Sequence, residues 1–398
     1  MRQIRQLAAP CLTLVLLAGS LVVGLAAAAP AAASASAAEV VPAQRSLAGV
    51  SCISGTSCVA VGQRVTTADR DLNFAESWNG ARWRAGRQPA SPGALDGLSA
   101  VSCTTRSACM AVGDYLAGAR KGVKTGRLVA LADSWNGRSW KQLATQSPSK
   151  TDYLLDGVSC VSPRSCIAVG DYDNGKVLSQ FLAEHWNASR WQRMRTARVA
   201  PMLAWDSVSC PTARSCVAVS ASPSLGSSPK LYTQVWNGTS WRIVTASAPP
   251  NMYAGLASVS CARQRSCVAV GNYLTTAQAP RTLAEAWNGH RWRVLAALTP
   301  RGTRAGAGLH GIWCLRSGSC VTVGAADVGL IGERWNGHEW RYTDPPRPAK
   351  KNVSSNLLGI DCWRPRGCMS VGDYFGASQV VYALAESWNG TRWKVLKA

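Results

Sequence analysis

Histidine, phenylalanine and acidic side chains are scarce in this sequence. Among 398 residues there are 4 His and 3 Phe, and 21 Asp+Glu stand against 43 Lys+Arg. So few histidines, scattered along the chain, exclude a histidine-rich metal centre. The shortage of carboxylates leaves a formal net charge of +22, too many cations for ion pairing to neutralise. Charged residues make up only 16% of the chain and hydrophobic ones 47%, which excludes a disordered polymer and suffices for a packed core. After the first 38 residues no apolar run is long enough to cross a bilayer.

Residues 1–38 read as a secretory signal. Arg2 and Arg5 form a positive start, Leu12 to Ala29 an apolar stretch, and AAASASA a small-residue tract before Glu39. Cleavage after an Ala-x-Ala near Ala37 would remove both arginines, leaving 41 − 21 = +20. The competing reading is an uncleaved anchor, since about 18 apolar residues just span a bilayer. Cys11 precedes the apolar stretch, where no lipoprotein cysteine belongs.

Cysteine and tryptophan are abundant, at 15 and 17, and a fixed period explains both. Leaving out Cys11, the cysteines pair by spacing as Cys52 with Cys58, Cys103 with Cys109, Cys160 with Cys166, Cys210 with Cys216, Cys261 with Cys267, Cys314 with Cys320 and Cys362 with Cys368. A Trp-Asn dipeptide follows each pair, at Trp78, Trp135, Trp186, Trp236, Trp287, Trp335 and Trp388, with another Trp five residues on. From Cys52 to Cys362 is 310 residues over six intervals, a period of about 52. The chain is one unit repeated seven times, at about 46–95, 96–152, 153–203, 204–254, 255–307, 308–355 and 356–398.

Each unit reads L-x-x-V-S-C, five residues, C-V-A-V-G-x-Y, a loop, then L-A-E-x-W-N-G-x-x-W-R-V. Period-two patterning and β-branched residues predict four short strands, here a to d. Asn-Gly between c and d is a strong hairpin signal, because both residues tolerate positive φ. Four antiparallel strands at this period predict propeller blades. The terminal repeats are as typical as the central ones, whereas an open solenoid needs polar caps. The expected fold is therefore all-β, a closed seven-bladed propeller over residues 39–398 with each blade contiguous in sequence. Small Val-Ser-Cys and Cys-Val-Ala-Val segments suit its crowded inner strands, and the Trp pairs its wide periphery.

The a–b hairpin, the glycine closing strand b (Gly62, Gly113, Gly170, Gly271, Gly324 and Gly372, with Ser220 in repeat four) and the Trp opening strand d resemble the Kelch repeat family. The resemblance spans residues 46–398, although Kelch blades carry a double glycine. It implies a propeller of the galactose-oxidase type and says little about activity. The S-W-N-G-x-x-W string also echoes the Asp-box of sialidase-like propellers, one residue short and with Asn for Asp.

In a secreted chain the paired cysteines are expected to form one disulfide per blade. Zinc is the alternative, but it wants four convergent ligands and each repeat offers two. Acidic residues recur two positions before the strand-c Trp: Glu76, Asp133, Glu184, Glu285, Glu333 and Glu386, with Gln234 the exception. They read either as a functional ring or as ion pairs with the cation after the strand-d Trp (Arg84, Lys141, Arg242, Arg293, Arg341 or Lys394). Recurrence favours the structural reading.

No catalytic signature is present and no cofactor is implied. His185, His290, His310 and His338 are spread over three repeats and their turns, poor geometry for the copper centre that a Kelch resemblance raises. Asp171 to Gly175 opens like a calcium loop, but Leu182 stands where the closing Glu belongs. The a–b and c–d turns have fixed lengths and share one rim. The b–c and d–a loops open on the other and vary: second Cys to Trp is 20 residues in five repeats, 26 in repeat two and 15 in repeat six. Binding residues usually sit on such variable loops. The candidates there are Asp114, Tyr115, Arg120, Lys121, Lys124 and Arg127 in repeat two, Asp171 and Asp173, Tyr273, and Asp373 and Tyr374. Away from that rim, Trp313 and Asp361 replace the strand-a Ser of repeats six and seven, beside Trp363. Trp205, at a recurring Leu position, reads as core.

The resulting expectation is a secreted, monomeric propeller acting as a binding module for glycans or anionic envelope polymers. A protein partner is also open, and no nucleic-acid motif is present. The alternative is an extracellular carbohydrate-active enzyme built on the same ring.

Overall fold

In the computed structural model, residues 44–397 are described apart from 67–69, 94, 119–125, 147–149, 176–178, 198–203, 221–229, 248–252, 316–317, 349–353 and 377–379. The expected signal segment, Val40 to Pro42, Arg120, Lys121 and Lys124 all lie outside the described residues. Seven four-stranded antiparallel sheets, each in the order a-b-c-d, make up the chain. Blade 1 comprises Gln44–Ser54, Ser57–Val65, Asp71–Trp78 and Trp83–Ala85. Blades 2 to 6 span 97–143, 153–193, 205–246, 253–295 and 307–342. Blade 7 comprises Ser355–Arg364, Gly367–Phe375, Val381–Trp388 and Trp393–Leu396. No described segment is helical, so no helix here is long and apolar enough to cross a membrane.

In six blades strands a and b run past their cysteines and pairing resumes beyond them, as in Ser54↔Ser57. The hairpin is thus tighter than a five-residue loop, with a bulge beside the first cysteine absorbing the odd residue. Every blade carries one disulfide: Cys52 with Cys58, Cys103 with Cys109, Cys160 with Cys166, Cys210 with Cys216, Cys261 with Cys267, Cys314 with Cys320, and Cys362 with Cys368. Their Cα atoms are 3.9–4.1 Å apart, closer than a standard antiparallel pair.

The second cysteines, Cys58, Cys109, Cys166, Cys216, Cys267, Cys320 and Cys368, are all buried. Each also stands opposite the strand-c Trp of its blade, as Cys58 does Trp78. A bonded sulfur has no thiolate to give a zinc ion, so these residues serve the fold. A second bulge, between Leu98 and Ala100 in blade 2, recurs opposite the strand-b glycine. A Cβ at Gly113 would run into the Gly97 carbonyl oxygen, which is why the repeat spells glycine there.

The core lies between blades. Strand-a Leu and Val side chains pack with the strand-b Ala and Val and the outer Trp of a neighbour, as Leu47 and Val50 do with Met369 and Val371. Trp205 is fully buried at its Leu position. Each Trp pair faces across the c–d hairpin at 5.4–5.9 Å between ring centroids. A contact of this kind adds about 0.5–1.5 kcal/mol beyond area burial.

Hydrogen bonds tie the inner strands around the ring. The strand-a Ser of one blade accepts from the first cysteine N–H of the next: Ser51 from Cys103, Ser102 from Cys160, Ser159 from Cys210, Ser209 from Cys261 and Ser260 from Cys314, all at 2.9–3.0 Å. Trp313 breaks the series and offers no oxygen to Cys362. Asp361 supplies two: Oδ1 accepts from its neighbour Cys362 N–H at 2.8 Å, and Oδ2 from Cys52 N–H in blade 1 at 2.7 Å. Asp373 accepts from Ser46 Oγ across the same joint, at 2.8 Å. The seam between blades 7 and 1 is therefore fastened by two carboxylates, with no strand exchanged among the described residues.

The recurring acids do not form the anticipated ion pairs. Arg84, Lys141, Arg242, Arg293, Arg341 and Lys394 point to solvent, whereas the acids are 0–4% exposed. Three of them cement neighbouring blades instead. Glu184, Glu285 and Glu333 accept from the backbone N–H of Gln146, Ser247 and Leu298, each six residues after the preceding blade's strand-d Trp. In blade 4 the register supplies Ala197, and Gln234 donates to its carbonyl at 3.2 Å. Where that register holds Pro89 or Pro346 there is no N–H to give, and the carboxylates of Asp133 and Glu386 have no partner among the described residues. Among the described residues Glu76 has a cation within ion-pair distance, Arg45 at 3.9 Å, and Glu184 stands across the ladder from Arg193, whose charge lowers its pKa against the larger effect of burial. Burial raises the pKa of Asp133 to about 7 and those of Glu184, Glu285, Glu333 and Glu386 to about 8.

Candidate binding surfaces

Turn geometry separates the two rims. The c–d turn glycine of a blade lies on the residue closing its a–b turn: Gly80 on Thr56, Gly137 on Ser107, Gly238 on Arg214, Gly289 on Arg265 and Gly390 on Arg366. These glycines have φ of 90–98°, which allows the tight Asn-Gly corner. The Asn side chain completes it, as Asn389 Oδ1 does by accepting from Thr391 and Arg392 N–H. At the opposite rim the b–c and d–a loops meet, and Asp327, for example, accepts from Arg304 and Ala305 N–H.

On the variable rim most candidate residues are spent on packing. Asp114 and Asp171 are buried, and Tyr115 and Tyr273 pack half-buried against blade-interface clusters. Arg127 lies over the Tyr153 ring at 5.8 Å. Asp173 Oδ1 accepts from Gly175 N–H, a local turn. Asp373 also accepts from Asn356 Nδ2, and Tyr374 stacks on Tyr382. A cleft of about 460 Å³ opens beside blade 3, where Arg193 sits 5.1 Å over Tyr172 and donates to its hydroxyl. Sequence spacing gave no hint of this cleft, because residues from three strands shape it.

The fixed-turn rim holds what the sequence reading passed over. Arg106, Arg164, Arg214, Arg263, Arg265, Arg364 and Arg366 lie on its a–b turns, and Arg82, Arg138, Arg190, Arg291 and Arg392 on its c–d turns. All twelve are exposed. One carboxylate among the described residues shares that rim, Glu339, and it pairs with Arg341 at 2.6 Å. None of the twelve has an ion-pair partner among the described residues. The signal in the sequence is repeated Arg in turns of fixed length, and constant length by itself points to the fold rather than to binding.

Of the three deviant residues, Trp313 is half-buried against the blade 6–7 cluster, and Asp361 is the seam fastener. Its pKa is pushed up to about 6 by burial, against the pull of the two N–H groups it accepts from. Trp363 lies at the rim, over the a–b turns of blades 1 and 7.

The sequence matches no protein-family profile and no curated protein. Solved structures do resemble it. An ulvan lyase from a new polysaccharide lyase family superposes with a TM-score of 0.60 at 10% identity, over 87% of this chain and 92% of that one. The β-propeller domain of the Trilobed protease from Pyrococcus furiosus, described as having an open velcro topology, gives 0.51 at 11% identity, over 88% and 97%. A YCF48 protein bound to D1 peptide gives 0.50 at 13% identity, over 84% and 91%. At such identities these likenesses establish the propeller fold alone. Seven disulfides further point to an oxidising environment.

Proposed function

We propose that this protein is a secreted, Kelch-like binding module whose fixed-turn rim docks on anionic polymers or glycans of a cell envelope. The observation that carries the reading is the segregation of charge: among the described residues, twelve exposed arginines and one glutamate lie on a single face. Arginine supplies paired donors in a planar fork suited to carboxylate, sulfate or phosphate. A ring of such forks on a rigid scaffold gives a polymer many simultaneous weak contacts. Secretion through residues 1–38 belongs to the same proposal and fits the disulfides. The enzyme alternative has less to rest on, because the carboxylates with the most raised pKa values are sealed between blades, away from any substrate.

The test is retention on an anionic polymer column across a salt gradient. Changing Arg106, Arg164, Arg214 and Arg265 together to Ser should bring elution to markedly lower salt. Changing Arg120, Lys121, Lys124 and Arg127 on the variable rim should shift it less. The reverse order would move the binding face to the variable rim.

A further inference from the structure

Symmetry breaks on the arginine rim at one place, the seam between blades 7 and 1. Position one after the first cysteine is Ile53, Thr104, Val161, Pro211, Ala262 and Leu315 in six blades, and Trp363 in the seventh. The indole edge of Trp363 (Nε1, Cε2 and Cζ2) lies on two glycines, Gly55 in the blade 1 turn and Gly367 in its own. A Cβ at Gly55 would sit 3.2 Å from that edge, and one at Gly367 would sit 2.6 Å from it. No other repeat has glycine at either position: the Gly55 register reads Arg, Pro, Ala, Gln, Ser and Pro elsewhere, and the Gly367 register Ser or Ala. Three departures from the repeat, two in blade 7 and one in blade 1, thus combine to seat one aromatic ring on the rim.

Cations occupy the turns beside that ring. Arg364 and Arg366 flank it in the same turn, and Arg392 comes from the c–d turn whose Gly390 rests on the Arg366 stem. From the far side, Arg106 of blade 2 reaches over the blade 1 turn to Ser54 Oγ at 3.5 Å. The nearest carboxylate in sequence, Asp361, has both oxygens engaged by the N–H groups of Cys52 and Cys362. Trp363 is half-buried, resting on the core cluster between blades 7 and 1, and the four arginines are exposed.

An apolar ring face beside several guanidinium groups matches a ligand with the same two parts. We propose that this seam corner is a subsite for an acidic saccharide, with Trp363 stacking on the sugar ring and Arg364, Arg366 and Arg392 holding its carboxylate or sulfate. The inference rests on the arginine rim being the binding face, and adds that one point of it reads sugar as well as charge. Acidic polymers without sugar, such as polyphosphate, would engage the arginines only.

Binding is to be measured by calorimetry on the full chain, with a hexameric uronate oligosaccharide, a sulfated hexasaccharide and a polyphosphate of matched charge. Replacing Trp363 by Leu keeps apolar cover over Gly55 and Gly367 but removes the flat face, whereas Phe keeps a ring. The Trp363→Leu variant should lose about tenfold in affinity for whichever saccharide binds, the scale of one lost aromatic contact. It should hold polyphosphate unchanged, while Trp363→Phe stays near the parent for all three. Changing Arg364, Arg366 and Arg392 to Ser should weaken every ligand without altering the melting temperature. The sugar-specific inference is overturned if Trp363→Leu binds both saccharides as the parent does, or if the parent prefers polyphosphate; the arginine-rim reading then stands. If the parent binds none of the three, both fall.

Discussion

Glu386 carries the problem of a buried acid in its plainest form. Neither of its oxygens has a partner among the described residues, because the register that could donate to it holds Pro346. A carboxylate so placed keeps its proton near neutrality, and its pKa is about 8. The sign for stability follows. A folded-state pKa above the unfolded value of 4.5 means that the folded protein holds the extra proton. The stabilisation is complete below pH 4.5 and is lost as pH climbs through about 8, for Glu184, Glu285 and Glu333 as for Glu386. Unfolding free energies from urea titrations should therefore fall between pH 5 and 9, by up to about 1.4 kcal/mol per pH unit for each group. Changing these four Glu to Gln should flatten the curve, as blade 4 already does with Gln234. A parent whose stability rises over that interval would contradict the assignment.

At the scale of the element, the a–b hairpin is fastened three ways: by its backbone ladder, by its disulfide and by the Ser of the preceding blade. The disulfide closes a short loop, so replacing Cys210 and Cys216 by Ala should cost about 2 kcal/mol in the chain-entropy model. Replacing Ser159 by Ala leaves the Cys210 N–H without its acceptor and should cost about 1–3 kcal/mol. Equilibrium unfolding checks both. The repeat was legible in this sequence because a blade is a local object: its strand alternation, Asn-Gly corner and paired cysteines all lie within about 50 residues. The roles of the recurring acids were not legible. Their partners are backbone N–H groups on the neighbouring blade, which no side-chain pattern displays, so a nearby cation looked the better match.

Over the whole molecule, closing the ring sets blade 1 beside blade 7, neighbours that no short stretch of chain links. The seam is met by exceptions: Trp313 withdraws a serine hydroxyl, Asp361 serves two amides, and Asp373 reaches Ser46. Replacing Asp361 by Ala strips two N–H groups of their acceptor at once. It should therefore destabilise the protein more than Ser159→Ala does, and because burial raises the Asp361 pKa to about 6, the excess should grow as pH falls from about 6 towards 4. Equal costs for the two variants would show that the seam carries no special load.

By itself the sequence determined the number of blades, their four strands, the disulfide pairing and the contiguous build of each blade, because all of these are set by spacing along the chain. Tertiary structure decided which surface carries charge without partners. Arginines from turns some 25 residues apart in sequence, and from blades about 50 apart, share one rim only once the ring is closed. The carboxylates that balance them on paper are buried between blades or bound to the seam. Net charge is a sum over the chain, whereas a field at a surface depends on where each charge ends up.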